Sequence, residues 1–340
     1  YAYQQYREPP RRLEDLPDNL FLMYVQNNTT FRSTEENART FEEMREWSDL
    51  TSNLAFFNYP LGIGFFALPN NNTPFVEELF DVLREADFWG LRDFDFGSIW
   101  SMQPDAYLVA SLMRNPDADA DELKKTFFDD LYGAAAPHIR AYYQRIGESY
   151  RHYAKKVALV ADDEDLALGV ADRVEGVFGT IRDELESLLD KATAAAAEDP
   201  AVAERVKVVT TNWQLVTMLL EAAKLGRVAD GIADGTDAAQ RERARNELAE
   251  LRRRFHAFIR EHGNTDVMTV DQVARMRALR DSYAKWLDIS MELNETYRKP
   301  YAERKNSRTG RYEPPEQALA AERVKTLPME WRFRMDPKNE

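Results

Sequence analysis

The sequence predicts a two-part fold, α/β followed by all-α and mostly helical overall. The first part, residues 1–114, reads as the C-terminal portion of a (β/α)8, TIM-like barrel, and the second, residues 115–297, as an antiparallel helical bundle. Three observations predict this. Strand-like apolar runs start near Leu20, Leu54 and Gly90, spaced by 34 and 36 residues, and repeated βα units of that size imply a parallel sheet with helical crossovers. From about Asp119 the apolar residues switch to helical spacing and keep it. Between the two patterns, "YGAAAP" (132–137) combines a helix-ending Gly with a Pro suited to opening the next helix.

In the first part, "NLFLMYVQN" (19–27) and "LAFFNY" (54–59) are apolar and aromatic without helical period. "GLRDFDF" (90–96) is weaker but bounded by Gly90 and Gly97, and "YAYQQY" at the start reads as a further strand closed by Pro9 and Pro10. The helix after the first strand opens on a capping box, Ser33 with Glu36, and sets Phe41, Met44 and Trp47 on one face. The next opens at Thr73 and Pro74 and carries Phe75, Leu79 and Leu83. A full barrel uses about 31 residues per unit, so the visible strands make about half of one and leave two open sheet edges. Either the chain is cut from a longer barrel or it forms a small open α/β sheet; a start at Tyr1 rather than Met favours the cut.

The helical part begins with "DADADELKKTFFDD" (117–130). Alternating Asp there lacks the turn Gly and the terminal Glu of a calcium loop. It reads instead as a helix capped by Asp119 or a neighbour, acidic in its first turn, with Leu123, Phe127 and Leu131 as its apolar stripe. Later stripes run through Ile139, Tyr142, Tyr143, Ile146, Tyr150, Tyr153 and Val157; through Leu166, Val170, Val174, Val177, Ile181, Leu185 and Leu188; and, after Asp199-Pro200, through Val202, Val206, Val209, Trp213, Val216 and Leu220. Leu248, Leu251, Phe255 and Phe258 continue the series to Gly263, and Val273, Met276, Leu279, Tyr283 and Trp286 close it. Regular stripes joined by short loops describe a bundle. Residues 298–340 read as an extended connection.

Composition excludes several functions. With 59 acidic against 45 basic residues the net charge is −14, which disfavours nucleic acid and anionic membrane surfaces as partners, since both call for a basic face. The absence of Cys removes disulfides, zinc–thiolate sites and thiol catalysis. His138, His152, His256 and His262 stand at no ligand spacing, so no metal and no cofactor is expected. "GIGFFA" (62–67) fits the dinucleotide pattern G-x-G-x-x-A, but Pro69 and the Asn residues after it stop the helix that pattern requires.

Ligands of parallel α/β folds meet the carboxyl ends of the strands. Those ends hold Gln26, Asn27 and Asn28, then Asn58 and Tyr59, then Arg92, Asp93, Asp95 and Trp100. Amides and acids that bond hydroxyls, beside aromatic faces that cover a ring, suit a sugar. Asp93 or Asp95 is the expected acidic residue; Gln26, Asn28, Asn58 and Arg92 would position the ligand, and Tyr59 and Trp100 would stack on it. Glycoside hydrolysis needs two carboxyl groups across the bond. Neighbours on one strand make a poor pair, so a second acid is expected from elsewhere.

The pieces "YAYQQYREPP", "LPDNLFLMYVQ", the Trp47 helix, "LAFFNY" and above all "NPDADADELKKTFFDDLYGAAAPHIRAYY" (115–143) carry a resemblance. The chain resembles a large bacterial family of glycoside-hydrolase-like proteins, grouped as a domain of unknown function. Its members have a barrel and appended helices similar to those of α-glucuronidases and hexosaminidases. The resemblance implies a secreted or periplasmic protein of polysaccharide metabolism, with the rest of the barrel before Tyr1 and a β-sandwich domain after "LPMEWRFRMDPKNE" (327–340). It also implies acids where Asn28 and Asn58 stand and a Glu near Asp93. An Asn is neither a general acid nor a carboxylate nucleophile. The expectation is therefore a carbohydrate-active, glycoside-hydrolase-like protein, with a non-catalytic glycan-binding or scaffold protein on the same fold as the alternative.

Overall fold

The computed structural model describes residues 1–3, 6–12, 15–27, 33–59, 68–86, 88, 91–94, 103–158, 170–262, 264–265, 268–269 and 283–287. All of them belong to one compact unit, Tyr1–Ser290; the second unit, Met291–Glu340, lies outside the described residues.

Three strands, β1 (Leu22–Asn27), β2 (Leu54–Tyr59) and β3 (Leu91–Phe94), form a parallel sheet in the order β1-β2-β3. Ala2 adds a single parallel bridge to Tyr24 on the outer side of β1. On the deep face both long strands run leucine, aromatic, amide: Leu22, Tyr24 and Gln26 on β1, and Leu54, Phe56 and Asn58 on β2, all six buried. Alternate residues of a strand share a face, so the column follows from the 2-residue repeat of the strand backbone. The Tyr24 and Phe56 rings stack at 6.0 Å within it.

The helices α1 (Thr34–Ser48) and α2 (Thr73–Glu85) make the crossovers. Helix α1 starts on the full capping box: the Glu36 N–H donates to Ser33 Oγ at 3.1 Å and the Ser33 N–H to Glu36 Oε2 at 2.6 Å. Its buried face presents Phe41, Met44 and Trp47, and Phe41 stacks on Phe75 of α2 at 5.2 Å. Helices α3 (Gln103–Arg114) and α4 (Ala120–Tyr132) follow, then a 3₁₀ turn at Gly133–Ala135 and α5 (Ala136–Ala158). Asp119 caps α4 by accepting from the Asp121 and Glu122 N–H groups at 2.9 and 3.1 Å. Gly133 ends it with φ +46, the left-handed region that glycine enters without steric cost. The buried residues of α4 are Phe127, Phe128 and Tyr132: Phe127 stands as expected, while Phe128 and Tyr132 are buried and Leu123 and Leu131 are half-buried.

Among the described residues the expected barrel is not present: the sheet consists of three parallel strands in the order β1-β2-β3, with a single bridge from Ala2 on the outer side of β1. After β3 come α3 and α4, joined by the turn at 115–119 and packed on each other. Spacing of strand starts is shared by open sheets and barrels, so it does not decide closure. The described residues are mostly helical around a small open parallel sheet.

Helix α6 (Val170–Val174), a π-turn at Glu175–Gly179 and α7 (Arg182–Ala195) occupy the second expected stripe. Val174, Val177, Ile181 and Leu185 are buried as that stripe predicts, and Leu189 rather than Leu188 ends it. Gly176 is required there: a Cβ would lie 2.2 Å from the Tyr153 ring. Helix α8 (Pro200–Ala229), capped by Asp199, is buried on several sides through Trp213, Leu215, Val216, Leu219 and Ala222. It is the central helix, in contact with α4, α6, α7 and α9 (Ala238–His262). Aromatic contacts run through this layer, from Phe128–Tyr143 at 6.3 Å through Tyr142–Trp213 at 6.2 Å to Phe178–Trp213 at 5.9 Å. Each such buried aromatic side chain contributes about 1.5–3 kcal/mol by leaving water. The short strands β4 (Asn264–Thr265) and β5 (Met268–Thr269) pair antiparallel, and α10 (Ala284–Leu287) packs on α8 and α9.

Candidate functional site

The carboxyl ends of β1 and β2 place Gln26 directly beside Asn58, which are partners in register. Their side chains end the deep column and are 2 % and 0 % exposed. A buried amide costs free energy unless it is hydrogen-bonded, so two neighbouring amides at the top of an apolar column mark a specified polar environment. On the other side of β2, Asn58 pairs with Phe94 and Phe57 with Asp93. Leu91 and Asp93 thus oppose adjacent residues of β2 and leave Arg92 as the extra residue of a bulge, a device that re-aims side chains near sites.

In a parallel α/β fold the helix N-termini gather at the same edge as the strand carboxyl ends. Here that edge collects the buried polar residues Asn70, Asn72 and Thr73 before and at the start of α2, and Gln103 and Asp105 in the first turn of α3. Asp105 is 0 % exposed, and both its oxygens accept from the single Asn72 N–H, at 2.8 and 2.9 Å. Burial pushes its carboxyl up to about 8, with the Asn72 N–H pulling the other way. Asp105 is therefore largely protonated at neutral pH. The Tyr143 hydroxyl, on α5, is held well above its ordinary value by burial, then by Tyr132 and Tyr142 and by Asp105.

The turn before α2 is tied to the helical layer. Asn71 donates from Nδ2 to the Tyr143 carbonyl at 3.1 Å and accepts from the Thr73 hydroxyl at 2.9 Å. Tyr132 donates its hydroxyl to Gln103 Oε1. Helix α5 approaches the turn closely enough that a Cβ on Gly147 would stand 2.7 Å from the Asn71 carbonyl oxygen.

Of the residues singled out from sequence, Gln26 and Asn58 are brought together. Tyr59, Arg92 and Asp93 have described backbone in β2 and β3, but their side chains, like Asn28, Asp95, Trp100 and the glycines of "GIGFFA", lie outside the described residues. Asp105 escaped sequence reasoning because an Asp after Pro104 resembles an ordinary helix start. The available signal was its phase: Leu108, Val109 and Leu112 follow at three, four and seven residues, all buried with it.

A surface groove of about 600 Å³ runs along the middle and C-terminal half of α1, lined by Glu8, Arg11, Arg39, Glu42, Glu46 and Asp49. Arg39 pairs with Glu8 there between half-exposed side chains, an arrangement of little energetic weight. Beneath it Glu43 is buried and fully engaged, by Arg7, by the Tyr24 hydroxyl at 2.7 Å and by Arg39 at 3.2 Å. Among the described residues no cluster of three or more His, Asp or Glu is arranged to hold a metal ion, and no helix is long and apolar enough to cross a membrane.

The fold and site thus define an open parallel α/β segment with buried polar strand ends, joined to a helical layer. Residues 1–144 match the sequence profile of a family described as a domain of unknown function, DUF4838. The matched span contains the sheet, the polar edge and the Asn71–Tyr143 tie, and stops within α5. No curated protein and no solved structure matches the chain at a significant level.

Proposed function

We propose that this chain is a carbohydrate-active protein that holds a saccharide at the carboxyl edge of its parallel sheet, outside the cytoplasm. The observation that carries the reading is the register pair Gln26–Asn58: two uncharged amides, side by side, at the edge where such folds take ligands. Amides donate and accept at once and so match sugar hydroxyls. The charge of −14 fits a neutral or amino sugar better than a phosphate or a uronate. The test is isothermal titration of the full chain with a panel of neutral and amino-sugar oligosaccharides. Saturable binding to at least one member, reduced more than about tenfold by Gln26→Ala, is expected. No binding across the panel ends the reading.

A specific observation favours glycoside hydrolysis as a second reading. A general acid must be protonated at working pH, and Asp105 is held so by burial. Asp93 is the candidate for the second carboxyl group that hydrolysis requires. Reducing-sugar release at pH 6 by wild type, Asp105→Asn and Asp93→Asn separates the readings. Loss of turnover in both variants supports an enzyme, and absence of turnover in wild type leaves binding alone.

A further inference from the structure

Residues 283–287 are seated between α8 and α9 in the manner of a bound peptide. Tyr283 and Leu287 are wholly buried and Trp286 nearly so, with the Tyr283 and Trp286 rings edge to face at 5.7 Å. The indole lies against Gly226 of α8. A Cβ at that position would stand 2.2 Å from the Trp286 ring, so glycine there is the condition for the slot.

Three sets of polar contacts fix the segment in register. Asp230, just past α8, accepts from the Trp286 indole N–H at 3.0 Å and from Lys285 Nζ at 2.7 Å. Burial works against this carboxylate, but the two donors hold it below its ordinary range. From α9, Arg252 donates to the Trp286 carbonyl at 3.2 and 3.3 Å and to the Lys285 carbonyl at 3.4 Å. His256 Nε2 donates to the Leu287 carbonyl at 2.7 Å. The last carbonyls of any helix lack partners within it, and in a helix as short as α10 they make up most of the backbone. Arg252 and His256 supply those partners from outside. The groove therefore reads an aromatic side chain, an indole N–H, a cation and a row of free carbonyls together, which is recognition of a short sequence rather than general apolar packing. Leu287 lies three residues before Ser290, where the compact unit ends.

We propose that residues 283–287 are a docking motif, that Gly226, Asp230, Arg252 and His256 form its receptor groove, and that the chain's own motif occupies the groove as a latch closing the compact unit. The experiment is fluorescence anisotropy of a labelled peptide of residues 280–290 titrated into the full chain. Wild type, with the groove filled in cis, binds the free peptide weakly. Trp286→Ala vacates the slot and binds it at least about tenfold more tightly, because the tethered competitor is lost. Adding Gly226→Leu to that variant removes the gain. Equal binding by wild type and Trp286→Ala, or binding that survives Gly226→Leu, overturns the proposal. Should Trp286→Ala lose its cooperative melt, Lys285→Ala loosens the tethered motif through an exposed side chain. It is then expected to raise peptide binding about threefold, and no rise counts against the proposal.

Discussion

The sheet segment and the helical layer bury different things. Of the thirteen buried polar or charged residues among those described, ten lie between Gln26 and Asp105, and only Ser149, Thr211 and Asn212 belong to the helical layer. The helical layer fills its interior with aromatic and aliphatic side chains, Tyr142, Tyr150, Phe178, Trp213 and Leu219 among them. Buried polar groups add less to stability than apolar ones of the same size and are costly when misplaced. Eight of the ten stand at the strand ends or helix starts of the sheet's carboxyl edge, Thr40 and Glu43 lying within α1. That concentration separates a segment shaped for a ligand from one shaped for rigidity.

The largest expected effect tests the rigid half. Phe178→Ala should lower unfolding free energy by about 3–5 kcal/mol, by loss of transfer energy and by the cavity left behind. Saccharide affinity of the folded fraction should stay unchanged. Chemical denaturation and titration on the same sample read both, and a matching fall in affinity would break the division between the halves.

Next in size is the acid of the polar edge. Asp105 has a folded-state value raised to about 8 against an ordinary 3.8, so the folded protein binds the extra proton between those limits. The stability linked to that proton is fully present below about pH 4 and is lost as pH rises through about 8, a change of a few kcal/mol. Asp105→Asn does not titrate. Urea unfolding of both proteins at pH 5 and pH 8.5 should show the variant gaining on wild type at the higher pH. Parallel pH profiles would show that Asp105 is not held neutral.

Asn58→Ala removes a buried amide at the strand end. The expected loss is about 1–3 kcal/mol of stability, together with a saccharide affinity weakened more than about tenfold. A stability loss without an affinity loss would reduce Asn58 to a structural role. The smallest effect belongs to the helix caps: Asp119→Ala should cost about 1 kcal/mol by thermal melt, and should not move ligand binding.

Much of the local structure was legible in the sequence because it rests on period and capping. The Ser33–Glu36 box, the Asp119 and Asp199 caps, the Gly133 stop and the β1 and β2 runs are local chemistry that neighbours in sequence decide. Closure of the sheet was not legible. The βα spacing is common to barrels and open sheets, and among the described residues it yields an open sheet of three parallel strands. The π-turn at Glu175–Gly179 was also hidden, since it rests on tertiary contacts such as Tyr153 against Gly176. At the polar edge, Gln26 and Asn58 stood out as amides ending apolar strands. Asp105 did not, because its burial depends on α2 and α5 closing over it.

The measurement that bears most directly on the division is hydrogen exchange of the full chain with and without the best-binding oligosaccharide of the panel. Protection is expected at residues 22–27, 54–59 and 68–73, with α7, α8 and α9 unchanged. Protection confined to the helical layer, or none at saturating ligand, would contradict the assignment of the sheet edge as the ligand site.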